Sequence, residues 1–256
     1  MKKRYYILVG ILSYLFFTLG NIPAAKVISL VENNTAMPVK LYGVYGSLWA
    51  GGADKAIIKG QPPMDNLQWS INPAFLLLAQ LNGEVKTSIK QQNIIGNINI
   101  GPSGNIQASD IRARITAPVV QELLQLPLGE LGGVFNIDID TLEFSQDSLP
   151  IMNGTLNWKN AKITLLETVE LGNIDLLVSP GENDQLIATI KNRQGQLKLD
   201  GNANINKQKM YSINLRITPE ENASDNTRQS LKMFARRQTD GSYQLKRKGN
   251  LQEFGI

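Results

Sequence analysis

Asp138 and Asp140 stand two positions apart, with Glu143 three residues further on. On a strand this spacing puts both aspartates on one face, where paired carboxylates could do acid–base work or hold a hard cation. The surrounding alternation predicts something plainer: Phe135, Ile137 and Ile139 share one face, while Asn136, Asp138 and Asp140 form the wet face opposite. Glu182, Asn183 and Asp184 make a second oxygen-rich cluster, but without the ordered ligand positions of a calcium loop. Glycines gather at Gly101-Pro-Ser-Gly104 and Gly129-Glu-Leu-Gly-Gly133. Neither cluster has the lysine or the strand–loop–helix setting of a phosphate-binding loop, so both read as turns. The chain holds no cysteine and no histidine. That excludes disulfides, thiolate nucleophiles, Ser-His-Asp catalysis and the usual zinc sets. No catalytic residue, no metal site and no cofactor motif is predicted, and the expectation is a protein that is not an enzyme.

Charge is distributed unevenly. The net charge is +4, yet residues 26–227 hold 16 basic and 20 acidic side chains. The basic excess sits in Lys2, Lys3 and Arg4 and in seven Lys and Arg residues between 228 and 248. A nucleic-acid binder would carry a basic stripe along its folded body, so nucleic acid is not an expected partner.

The elements that must position such residues begin with an uncharged run from Tyr5 to Ala25. As one helix it would be roughly 31 Å long, close to the hydrocarbon thickness of a bilayer. Lys2, Lys3 and Arg4 before it predict a cytoplasmic N-terminus. A secretory signal peptide is the competing reading, but Pro23 or Ile22 would fall where its cleavage site wants a small residue. An uncleaved transmembrane anchor over 1–25 is therefore expected, in a bacterial inner membrane, with the rest periplasmic.

Beyond it the period is two. Leu197, Leu199, Gly201, Ala203 and Ile205 alternate with polar residues. Tyr211, Ile213, Leu215 and Ile217 repeat the pattern after the turn 206–209, and Ile98 and Ile100 alternate with asparagines. Turn signals every 8–12 residues, without β–α–β alternation, predict a mainly β protein: a curved antiparallel sheet over 26–219, as an open half-barrel or a sandwich. Three short helices are expected, over 73–81, 117–126 and 227–238. Residues 220–256 read as a linker and a basic C-terminal segment.

All three tryptophans fall in strand-like settings near turns: Trp49, Trp69 and Trp158. Each is either a plug in the sheet core or part of a surface for a partner or lipid.

Several motifs follow one another in a fixed order. Gly46-Ser-Leu48-Trp49-Ala-Gly51 is followed by a strand with Trp69 that runs through Pro73 into Leu76-Leu77-Leu78. A leucine-rich segment from Leu123 to Gly133 comes next, and then Gly154-Thr-Leu-Asn-Trp158. Together with the N-terminal apolar run, this order over nearly the whole chain resembles type II secretion system protein N, also called general secretion pathway protein N. The long basic tail and the asparagine-rich strands depart from that pattern. The resemblance implies a single-pass inner-membrane protein without catalytic residues. Its periplasmic domain would serve the machine that moves folded proteins through an outer-membrane secretin. Its partners would be the inner-membrane assembly and the secretin, with Gly46, Leu48, Trp49, Gly51, Trp69, Pro73, Gly154 and Trp158 as contact candidates.

The alternative is an AsmA-like periplasmic lipid-binding or lipid-transfer protein. Its basis is the alternation itself: an apolar sheet face with few helices to cover it must close, pack against another sheet or hold phospholipid in a groove.

Overall fold

In the computed structural model the described residues are 2–34, 39–58, 62–124, 126, 129–144, 149–164, 167–183 and 185–250. Two helices come first, α1 (Lys2–Gly20) and α2 (Ala24–Asn34). The single transmembrane helix expected from Tyr5 to Ala25 is not formed. Asn21 turns back on α1, its backbone N–H donating to Thr18 O at 3.3 Å and its side-chain amide to Phe17 O at 2.8 Å. Pro23 lacks an N–H, and inside a helix its ring would strike the carbonyl four residues back, so the helix stops before it. Pro23 pairs instead with Ser47 in an isolated bridge. No helix among the described residues is long and apolar enough to cross a membrane. The side chains of Lys2, Lys3 and Arg4, expected to set orientation, lie outside the described residues.

The strands follow: β1 (Val39–Gly46), β2 (Ala50–Ile58), β3 (Met64–Ile71), β4 (Leu81–Ile89) and β5 (Gln92–Ile100), with a 3-10 helix at Pro73–Leu78. Then come β6 (Ile106–Thr116), α3 (Ala117–Leu123), β7 (Glu130–Phe144), β8 (Ile151–Thr164) and β9 (Thr168–Gly181). The chain continues with β10 (Gln185–Arg193), β11 (Leu197–Ile205), β12 (Met210–Pro219), α4 (Asp225–Phe234), β13 (Arg236–Arg237) and β14 (Tyr243–Asn250). Hydrogen bonds join them in sequence order from β1 to β12, then β14 and β13. The mainly β, antiparallel class is as expected. It is a single sheet whose order ends at β1 and β13 without closing, so the two-sheet sandwich is not formed.

The chain divides into two compact units, residues 1–91 with 97–102, and residues 92–96 with 103–256. In the first, α2 lies against the edge strand β1, with Ala24 fully buried. In the second, the core is one sheet face under two short helices. Trp158, Leu171, Leu197, Leu199 and Ile217 pack with Ala117 of α3 and with Leu231 of α4. The alternation in β11 is as read: Leu197 and Leu199 are buried, and Lys198 and Asp200 are exposed. The turn after it is closed by Asn206, whose carboxamide oxygen accepts from Gln208 N at 3.1 Å and Met210 N at 3.0 Å.

All three expected helices exist and all are shorter than predicted. The last ends at Phe234, and Ala235 is already extended. The C-terminal segment is built into the sheet, since β14 pairs with β12 from Tyr243↔Ile217 to Asn250↔Met210.

Candidate interaction site

The Gly-Ser-Leu-Trp sequence forms the tight connection between β1 and β2. Gly46 has φ +77°, and a Cβ there would come within 2.6 Å of Ala50 O. A Cβ on Gly51 would meet Ser47 O at 2.6 Å and Cζ2 of Trp69 at 2.8 Å. Both glycines are thus required by close backbone approach. Ser47 closes the turn: its N–H donates to Ala50 O at 2.9 Å, and its hydroxyl oxygen accepts from Ala50 N at 3.0 Å.

Leu48 and Trp49 then tie three segments together through their backbone. Leu48 N–H donates to Ile22 O at 2.8 Å, and its carbonyl accepts from Trp69 Nε1 at 3.0 Å. The Trp49 carbonyl accepts from Ile71 N at 2.6 Å. The chain leaving α1, the β1–β2 turn and the end of β3 therefore form one hydrogen-bonded node. Trp49 and Trp69 are both half-buried within it.

Pro73 follows at the start of the 3-10 helix, where its missing N–H costs nothing. Asn72 caps that helix by accepting from Ala74 N through its side chain at 3.0 Å, and Ala79 ends it in the left-handed region at φ +53°. Between them Leu76, Leu77 and Leu78 point outward, with Leu77 91% exposed. The leucine run was legible as apolar, but not its exposure. In a 3-10 helix three consecutive residues point to three different sides, so one packed face cannot bury all three leucines.

Gly154 and Trp158 lie in the second unit. A Cβ on Gly154 would meet Asp138 O at 2.6 Å. Trp158 is buried, stacks on Phe135 with ring centroids 4.8 Å apart, and donates from Nε1 to Gly132 O at 2.9 Å. It is a core plug with its polar atom satisfied. Hence Gly46, Leu48, Trp49, Gly51, Trp69 and Pro73 come together, and the second Gly–Trp pair serves the core of its own unit.

The carboxylates are spread over solvent. Asp138 faces Arg112 at 3.7 Å with both side chains exposed, Asp140 is exposed, and Glu143 accepts from Gln107 at 3.0 Å. Asp184 lies outside the described residues, among which no group of three acids could hold a metal ion.

Two polar residues that sequence reading passed over hold the second unit. Asn192 donates to Leu171 O at 2.7 Å and Leu197 O at 2.6 Å, and its oxygen accepts from Leu199 N at 2.7 Å. Glu167 accepts from Ser224 Oγ at 2.6 Å and Thr227 Oγ1 at 2.8 Å at the start of α4. Those hydroxyl donors hold the Glu167 carboxyl below its ordinary range. Neither residue stands in a motif; only the fold brings their partners within reach.

A family model described as Type II secretion system (T2SS), protein N matches residues 37–246. No curated protein and no solved structure matches the chain. The lipid-carrier alternative finds no support in the geometry or the comparisons.

Proposed function

The chain belongs to the type II secretion system protein N family, and from that premise we propose that it is a non-enzymatic inner-membrane component of the type II secretion machinery. Membership implies association with other type II secretion components. In the finer reading, α1 sits in the inner membrane with Lys2, Lys3 and Arg4 toward the cytoplasm. The sheet stands in the periplasm and supports export of folded proteins across the outer membrane.

The observation that carries this reading is the node at Leu48, which couples the end of an apolar helix directly to the matched sheet. Tyr5, Tyr6, Ile7, Val9, Ile11, Tyr14 and Phe17 of that helix are all exposed. Its apolar part, residues 5–20, reaches about 24 Å along the axis. In this reading a locally thinned bilayer accommodates the shortfall from about 30 Å.

The test is a clean deletion strain of a type II secreting bacterium, complemented with the full chain. Loss of exoprotein release, restored by the chain, is expected. Normal release of every type II substrate, with unchanged secretin assembly, would overturn the proposal. Photo-crosslinking from Trp49 and Trp69 positions would then name the partner subunit.

A further inference from the structure

The leucines of the 3-10 helix stand exposed, and their setting is unusual for a solvated loop. The chain carries no charge from 66 to 83, between Asp65 and Glu84. Within that stretch Leu76 is 46%, Leu77 91% and Leu78 63% exposed.

Two further observations say what covers them. The first is position. The 3-10 helix joins β3 to β4 at the same end of the strands as the β1–β2 turn, since Ala50 pairs with Ser70 and Ile71 with Gly83. Ile22, where the chain leaves α1, is bonded to that turn through Leu48. Strand spacing places the leucines within roughly 10 Å of the α1 exit along the sheet end. The second is backbone chemistry. Asn72 N–H donates to Asn82 O at 2.9 Å, Phe75 N–H to Asn72 O at 3.3 Å, Ala79 N–H to Leu76 O at 3.0 Å and Gln80 N–H to Phe75 O at 3.0 Å. Ala74 N–H is taken by the Asn72 side chain, and Pro73 has no N–H to satisfy. A surface loop can leave such groups to water, whereas a segment entering lipid must pair them internally.

We propose that Leu76, Leu77 and Leu78 insert into the periplasmic leaflet of the same bilayer that holds α1, giving the first unit a second, shallow membrane contact. This rests on the membrane placement of α1 proposed above. Two contacts at one end of the strands hold the first unit against the membrane surface, where a helix alone would leave it free to swivel.

The chain contains no cysteine, so single labelling sites can be introduced without background. The experiment uses the full chain as Leu77→Cys, Phe17→Cys or Gln91→Cys. Each variant is coupled to an environment-sensitive fluorophore and reconstituted into phosphatidylethanolamine–phosphatidylglycerol vesicles, with and without spin-labelled lipid as quencher. Gln91 lies in the β4–β5 turn at the opposite end of the strands and reports water. Blue-shifted emission at Leu77 that is lost to a shallow lipid quencher, with Phe17 quenched by a deeper one, is the expected result. Water-like emission at Leu77 with Phe17 still lipid-quenched would overturn the leucine contact and leave the anchor standing. Water-like emission at both sites would overturn both. A blue shift at Leu77 that no lipid quencher touches would mean a protein contact and would also overturn the proposal.

Discussion

The Leu48 amide donates to the Ile22 carbonyl at 2.8 Å, across 26 residues of chain, and so fixes the end of α1 to the first turn of the sheet. That bond is backbone to backbone, so its strength is insensitive to side chain at either position, while its geometry depends on the glycines on both sides of the turn. The Leu48 carbonyl completes the node by accepting from Trp69.

Replacing Trp69 with Phe keeps most of the ring and removes the indole donor. The expected cost is about 0.5–1.5 kcal/mol, read from urea unfolding. Hydrogen exchange would show the Leu48 amide less protected in the same variant. An unchanged Leu48 exchange rate would mean that the node does not act as a unit.

Gly172 has φ +73°, and a Cβ there would collide with the Gln194 carbonyl oxygen. Gly104 has φ +79° with nothing within 4 Å. Gly104→Ala is expected to cost about 1 kcal/mol, from backbone strain alone. Gly172→Ala adds a clash with main chain and is expected to cost more than about 4 kcal/mol. Equal losses in thermal unfolding would refute the close approach of the β10–β11 turn to β9 at this point.

Asn192→Ala removes the partner of three backbone groups at once, on Leu171, Leu197 and Leu199. The expected loss is about 2–3 kcal/mol, because these half-buried groups regain water only in part. Asn192→Asp keeps the acceptor for Leu199 N–H and turns two donors into an acceptor facing carbonyls. It should be worse than alanine in chemical denaturation, and a milder effect would count against the assigned orientation of the amide.

Glu167 should make stability depend on acid. Its folded-state pKa is lowered by the Ser224 and Thr227 hydroxyls, so its contribution is fully present above the ordinary glutamate range. That contribution is lost as pH falls through the lowered folded value. Glu167→Gln should flatten this part of the curve when urea midpoints are measured from about pH 7 down to about pH 3. If wild type and variant keep a constant offset across that range, the carboxylate does not hold α4. Asp240 titrates in the same direction, held low by Ser242 and by the nearby Arg216, and sets a background that the comparison subtracts.

Period-two alternation was enough to read the strand class, the apolar face of β11 and the turn at 206–209, because each depends on residues near in sequence. The Gly-Ser-Leu-Trp turn was legible as a motif for the same reason: glycine spacing reports local backbone demands. Helix ends were read too long. Leu124 and Ala235 continue an apolar pattern, but their backbones leave the helical region, Ala235 directly before the next strand. The N-terminal helix was over-read by the same logic, since hydropathy records what a bilayer would accept and Pro23 records where a helix must stop.

What the sequence determined by itself was composition and local pattern: no cysteine or histidine, an apolar start, alternating strands, and turns built on Gly, Asn and Pro. Those properties follow from each residue's own chemistry and its near neighbours. Tertiary structure alone decided that Trp158 is core and Trp69 a bridge to Leu48, that Asp138 faces Arg112 in solvent, and that Asn192 and Glu167 hold distant segments. It alone decided that three leucines stand exposed beside the exit of α1. A side chain's role depends on which partners lie within about 3–4 Å, and for these residues the partners come from elsewhere in the chain.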